Sequence, residues 1–171
     1  MGVIVSQDLR WSKNTEYICS KARQKLWILR RIDKLELSED KLFDVYSKEI
    51  RSILELAVPV WHSGLTKTQS NDIERIQKLA FKLILKSNYL DYKTACKRLS
   101  TKTLQERRVQ LCRNFARKNF KSDFSMLEKL TKNSDTRQQN RLVKEFKCNT
   151  DRFYKSSLPY LARLLNTTTI S

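Results

Sequence analysis

Between residues 73 and 84 the apolar side chains Ile73, Ile76, Leu79, Ala80, Leu83 and Ile84 recur at intervals of three and four. That period puts them on one face of an α-helix and on no single face of a strand. Thr66 and Gln69 precede them at capping-box spacing, so each side chain can satisfy a backbone group of the first turn. The same period returns elsewhere. Ile18, Ala22, Leu26, Leu29 and Ile32 predict a helix over 15–35. Leu42, Val45, Tyr46, Ile50, Ile53, Leu54 and Ala57 predict a second. Thr103 and Glu106 form another capping box ahead of Leu104, Leu111, Cys112, Phe115 and Ala116. Only two glycines and two prolines occur in 171 residues, too few for the turns of an all-β fold. The expected fold is all-α, a bundle of about four main helices plus short ones.

The punctuation between these stripes is legible too. Ser38 is a candidate N-cap, with Glu39 and Asp40 in the first turn that follows. Pro59 should end or kink the second helix, and PVWHSGLTK reads as a loop with Gly64 at its turn. The 73–84 helix should stop near Ser87-Asn88, and Asp91 to Leu99 should form one or two helical turns. Gly2-Val3-Ile4-Val5 reads as a short strand ending in a turn-like Ser-Gln-Asp, with no run nearby to pair with it. Residues 1–12 are thus expected to be a strand-and-turn remnant and 13–122 a helical domain. Residues 123–171 read as a basic, partly irregular C-terminal region, with Phe124, Leu127 and Leu130 in a short helix and 131–141 as linker.

Charge narrows the partners. The formal net charge is +17, which favours a polyanion, nucleic acid first. Residues 1–90 hold 16 Lys and Arg against 11 Asp and Glu, a net of +5, whereas 91–171 hold 19 against 7, a net of +12. The second half is therefore the expected grip. Its candidate contacts are Arg113 and Arg117 on the polar side of the Thr103 helix, then Arg141, Lys144, Arg152 and Lys155. The last four sit in a run that mixes cations with Phe146, Phe153, Tyr154 and Tyr160. Such a run suits phosphate contact with base stacking, and equally an extended tail that packs its aromatics on the helical body. On the first helix Arg23, Arg30, Arg31 and Lys34 form either a solvated face or a basic ridge. Arg108 projects into an apolar arc and should snorkel or pair with a carboxylate.

Several chemistries lack their residues. His62 is the one histidine, expected to be a loop residue bonded to nearby backbone; alone it supports no hydrolytic triad and no two-histidine iron site. Neither phosphate-cradling glycine motif occurs, nor an Asp-Asp pair for two-metal polymerisation. Cys19, Cys96, Cys112 and Cys148 show no paired zinc-ligand spacing and read as reduced, mostly buried thiols. No catalytic residue, cofactor or metal is expected. No apolar run reaches membrane-spanning length, and the N-terminus lacks a secretory pattern, so the expected location is intracellular, in nucleus or cytoplasm.

The stretch GVIVSQDLRWSKNTEYICSKARQKLWILRRI resembles the segment after the polymerase palm in non-LTR (LINE-type, jockey-like) retrotransposon reverse transcriptases. Gly2 and Val3 match the end of that family's Tyr-Leu-Gly-Val strand; Asp8, Leu9 and Trp11 match loosely its Asp-x-x-Leu-x-Trp turn. RSILELAVPVWHSGLTKTQSNDIERIQKLAFKLIL is the most specific match, and LQERRVQLCRNFARK and DRFYKSSLPYLARLLN resemble the family's C-terminal region. The resemblance implies a thumb-like, non-catalytic helical piece that holds an RNA–DNA or DNA duplex with low specificity. The Tyr-x-Asp-Asp carboxylates would lie upstream, and MGVIV would be a cut edge. The N-terminal stretch is also similar to a small region named for an AlkB-type dioxygenase homologue, whose iron triad a single histidine does not supply. The alternative reading is a degenerate remnant or helical protein-interaction module that self-associates through exposed apolar surface.

Overall fold

The structure, a computed structural model, describes residues 2–8, 10–32, 35, 37–120, 143 and 145–167. Among the described residues the regular elements are all helical. In chain order they are α1 (Ser12–Ile32), α2 (Glu39–Tyr46), a π-helical segment Ser47–Arg51, α3 (Ser52–Leu54), α4 (Val58–Trp61), a 3₁₀ turn His62–Gly64, α5 (Lys67–Leu85), a 3₁₀ turn Lys86–Asn88, α6 (Tyr92–Arg98), α7 (Leu104–Phe120), α8 (Asp151–Tyr154) and α9 (Ser157–Asn166). Two compact units result: Met1–Ala57 with Leu65–Arg107, and Val58–Gly64 with Arg108–Ser171.

The first unit is organised by α1 packed on α5. α1 buries Ile18, Cys19, Ala22, Leu26 and Leu29, as its period requires. α5 also meets α2 and α6 and so buries a wider arc: Ile73, Ile76, Ala80, Phe81, Ile84 and Leu85. The predicted stripe is therefore rotated. Leu79 is 47% exposed, while Phe81 and Leu85 face the core. Phe81 continues an aromatic chain, 5.5 Å from Tyr46 and 6.1 Å from Tyr92 between ring centres. Two buried polar groups are satisfied across this core. The Tyr46 hydroxyl donates to Gln77 Oε1 at 2.8 Å, and Gln77 Nε2 donates to the Lys102 carbonyl at 3.1 Å.

Gly2 to Val5 form no strand. The Ile4 N–H instead donates to Asn14 Oδ1 at 3.1 Å, which ties the segment to the start of α1. The turn at residues 7–8 is present, with Asp8 Oδ1 accepting from the Arg10 N–H at 3.1 Å. Ser38 occupies the N-cap position of α2, but its side chain makes no capping bond. The second predicted helix is broken before Pro59. It passes through the π-helical segment and ends at Leu54, and Ala57 turns the chain with φ of 50°. Pro59 then lies in the first turn of α4, where a missing N–H costs nothing.

In the second unit the stretch predicted as a loop is mostly helical. Trp61 is fully buried, and α4 and the His62–Gly64 turn pack against α9. The described part of the tail contains two helices, α8 and α9. α9 buries Pro159, Leu161, Ala162 and Leu165, Ser157 Oγ donates to the Pro59 carbonyl at 2.6 Å, and Asn166 pairs with both backbone groups of Val143. Arg108 is fully buried in α7, in line with Cys112 and Ala116, so it does not snorkel to water. Phe124, Leu127, Leu130 and the 131–141 linker lie outside the described residues.

Candidate nucleic-acid interface

Five carboxylates of the first unit, Glu39, Glu55, Glu74, Asp91 and Glu106, are committed to its architecture. Glu39 receives Arg98 Nε and Nη2 at 2.9 and 3.0 Å and Asn88 Nδ2 at 2.9 Å, joining α2 to the end of α6. The Arg98 guanidinium holds the Glu39 carboxyl below its ordinary range. Glu55 takes a bidentate pair from Arg107 Nε and Nη2, a geometry that fixes orientation as well as charge. Glu74 is buried and accepts from the Tyr92 hydroxyl and from the Leu104 and Gln105 N–H groups. It thus neutralises the positive end of α7. Asp91 caps α6 through the Lys93 and Thr94 N–H groups at 2.8 and 3.0 Å. Glu106 closes the capping box with Thr103, with bonds of 3.0 and 3.2 Å.

The cations are placed differently. On α1 Lys13, Lys21, Arg23, Arg30 and Arg31 are exposed and make no ion pair with a described residue. Lys21 lies 5.9 Å from the Tyr17 ring centre, and Arg31 lies 5.8 Å from that of Trp27, which is 52% exposed. Lys13, Lys21 and Trp27 were not singled out in the sequence. Trp27 is off the apolar stripe and four residues before Arg31, which is the signal that would have found it.

The six predicted contacts do not share one environment. Arg117 and Arg152 are exposed and make no ion pair with a described residue. Lys155 is exposed but bridges to Asp151 at 2.6 Å. Arg113 is half-buried, with Nε shielded from solvent and lacking a hydrogen-bond partner. Arg141 and Lys144 lie outside the described residues.

Beside Arg113 stands the Tyr160 ring, 5.7 Å from His62 and edge-on to it. His62 belongs to a 3₁₀ turn, and its Nδ1 is buried with no hydrogen-bond partner, contrary to the backbone bond expected. Burial, with the charge of Arg108, pushes the imidazole down to about 4, so it is neutral at physiological pH. Burial pushes the Cys112 thiol up to about 12. None of the four cysteines is in a disulfide, and Cys148 is partly exposed. Among the described residues no group of three or more His, Cys, Asp or Glu is placed to hold a metal ion, and no helix is long and apolar enough to cross a membrane.

A cleft of about 430 Å³ opens where the N-terminal ends of α1 and α5 meet, bridged by Gln69 Nε2 to Ser12 Oγ at 3.0 Å. Arg23 lines it together with Glu16 and Asp72, so the cleft carries charge of both signs. The fold and its surface define an all-α, strongly basic protein. Comparison with protein-family models, with curated proteins and with solved structures finds no match.

Proposed function

We propose that the chain is a non-catalytic nucleic-acid-binding protein that grips its partner mainly through the phosphate backbone. The observation that carries this reading is the division of labour among charges. Glu39, Glu55, Glu74, Asp91 and Glu106 are consumed in holding helices, whereas Lys13, Arg30, Arg31, Arg117 and Arg152 face solvent and make no ion pair with a described residue. Cations left over in this way are available to displace counterions from a polyanion. The resemblance to the post-palm region of non-LTR reverse transcriptases supports a duplex as partner, RNA–DNA or DNA, with low sequence specificity. Such contacts position a duplex without reading it.

Charge reversal tests the assignment. Arg117→Glu with Arg152→Glu is expected to weaken binding to an RNA–DNA hybrid and to flatten the log–log salt slope by about one unit for each phosphate no longer neutralised. The Arg23→Glu, Arg31→Glu pair tests the α1 ridge in the same way. Unchanged affinity and slope in both pairs would remove these residues from the interface.

A further inference from the structure

The end of α8 carries two neighbouring aromatic rings that the core does not use: Phe153 is 43% exposed and Tyr154 49%. Large apolar rings left in water call for an explanation when they are also held in place. These are. Thr150 Oγ1 caps α8 by accepting the Phe153 N–H at 3.2 Å. Ser156 Oγ donates to the Phe153 carbonyl at 2.7 Å, and Arg163 Nη2 donates to the Tyr154 carbonyl at 2.7 Å. The Arg163 guanidinium also lies 3.7 Å from the Tyr154 ring centre, a stacking distance, and the Phe146 ring meets Phe153 edge-on at 6.1 Å. The next cation along the chain is Arg152, exposed and without an ion pair among the described residues.

We infer that Phe153 and Tyr154 form a stacking platform for unpaired nucleobases, with Arg152 and Arg163 supplying the flanking positive charge. The inference rests on the nucleic-acid reading above and goes beyond it, because a duplex keeps all but its terminal base faces inside the stack and offers this platform little. A single strand offers each base as a π-face, and stacking on a fixed aromatic ring is tolerant of sequence. Cations around the rings favour a polyanion over an apolar protein surface. The platform is preorganised, so little freedom is lost when a base lands on it.

The test is fluorescence anisotropy on the full chain with two labelled probes, a short polyuridine strand and a blunt RNA–DNA hybrid, over a salt series. Tyr154→Ala and Phe153→Ala are each expected to weaken single-strand binding about tenfold and hybrid binding less than about twofold. The single-strand salt slope should stay unchanged, because no cation is removed. Tyr154→Phe should keep most of the affinity. Circular dichroism confirms that each variant retains its helices. Equal losses on both probes, unchanged single-strand affinity in both alanine variants, or hybrid binding without single-strand binding would overturn the platform and leave the duplex reading standing. Failure to bind either probe would overturn both.

Discussion

At the scale of single residues, His62 and Glu74 show opposite ways of hiding a titratable group. His62 is kept neutral by burial and by Arg108, with its pKa lowered from about 6.5 to about 4. Between those values the unfolded chain takes up a proton more readily than the folded one, so stability is full above about pH 6.5 and falls as pH drops towards 4. The loss is up to about 3 kcal/mol from this group alone. Thermal melts of the full chain at pH 7, 6 and 5 should fall, and those of His62→Gln should fall less over the same interval. Parallel curves would mean that His62 does not titrate as placed. Glu74 is buried but charge-compensated by the α7 N-terminus and Tyr92. Glu74→Gln keeps the volume and removes the charge, which should cost about 2 kcal/mol and lower the urea midpoint without changing the slope. Neither environment was legible beforehand. The partners of Glu74 are 18 to 31 residues away in sequence, and periodicity marks only that a position faces inward, not what waits there.

At the scale of elements, what was legible was what is local. Both capping boxes formed as spaced, because a bond over three residues needs no tertiary partner. Ser38 had the right residue type, but its hydroxyl does not reach a backbone N–H. The two cases separate in a measurement: Thr66→Ala should cost about 1 kcal/mol in chemical denaturation, and Ser38→Ala only a few tenths. The shift of the α5 stripe came from its neighbours. A helix touching α1, α2 and α6 buries more than one predicted face, so Phe81 and Leu85 turn inward and Leu79 does not. Helix ends are also unusual here. With so few glycines, Lys86 and Ser100 adopt φ of 48° and 47°, and Thr101 N–H bonds the Cys96 carbonyl at 2.9 Å to close α6. No spacing rule signals that a lysine or a serine will take that role. The strand read at Gly2–Val5 failed for the converse reason. A β-type run needs a partner strand, and Asn14 took the Ile4 N–H instead.

At the scale of the whole molecule, composition gives the net charge, and the structure says how that charge is distributed. Carboxylates join helices in the first unit, while exposed cations remain on α1, on α7 and around α8. The sequence pointed to the second half for its +12, yet α1 also carries exposed cations, because Glu39 and Glu55 of the first half are paired with arginines elsewhere. Net charge counts residues and does not see which are already paired. The most direct measurement is fluorescence anisotropy of the full chain with a labelled RNA–DNA hybrid, repeated from low to physiological salt. Binding at low salt, with log affinity falling linearly and steeply against log salt, is the expected result. No binding at the lowest salt, or binding that salt leaves unchanged, would contradict it: the +17 would then not be organised into a surface that holds a phosphate backbone.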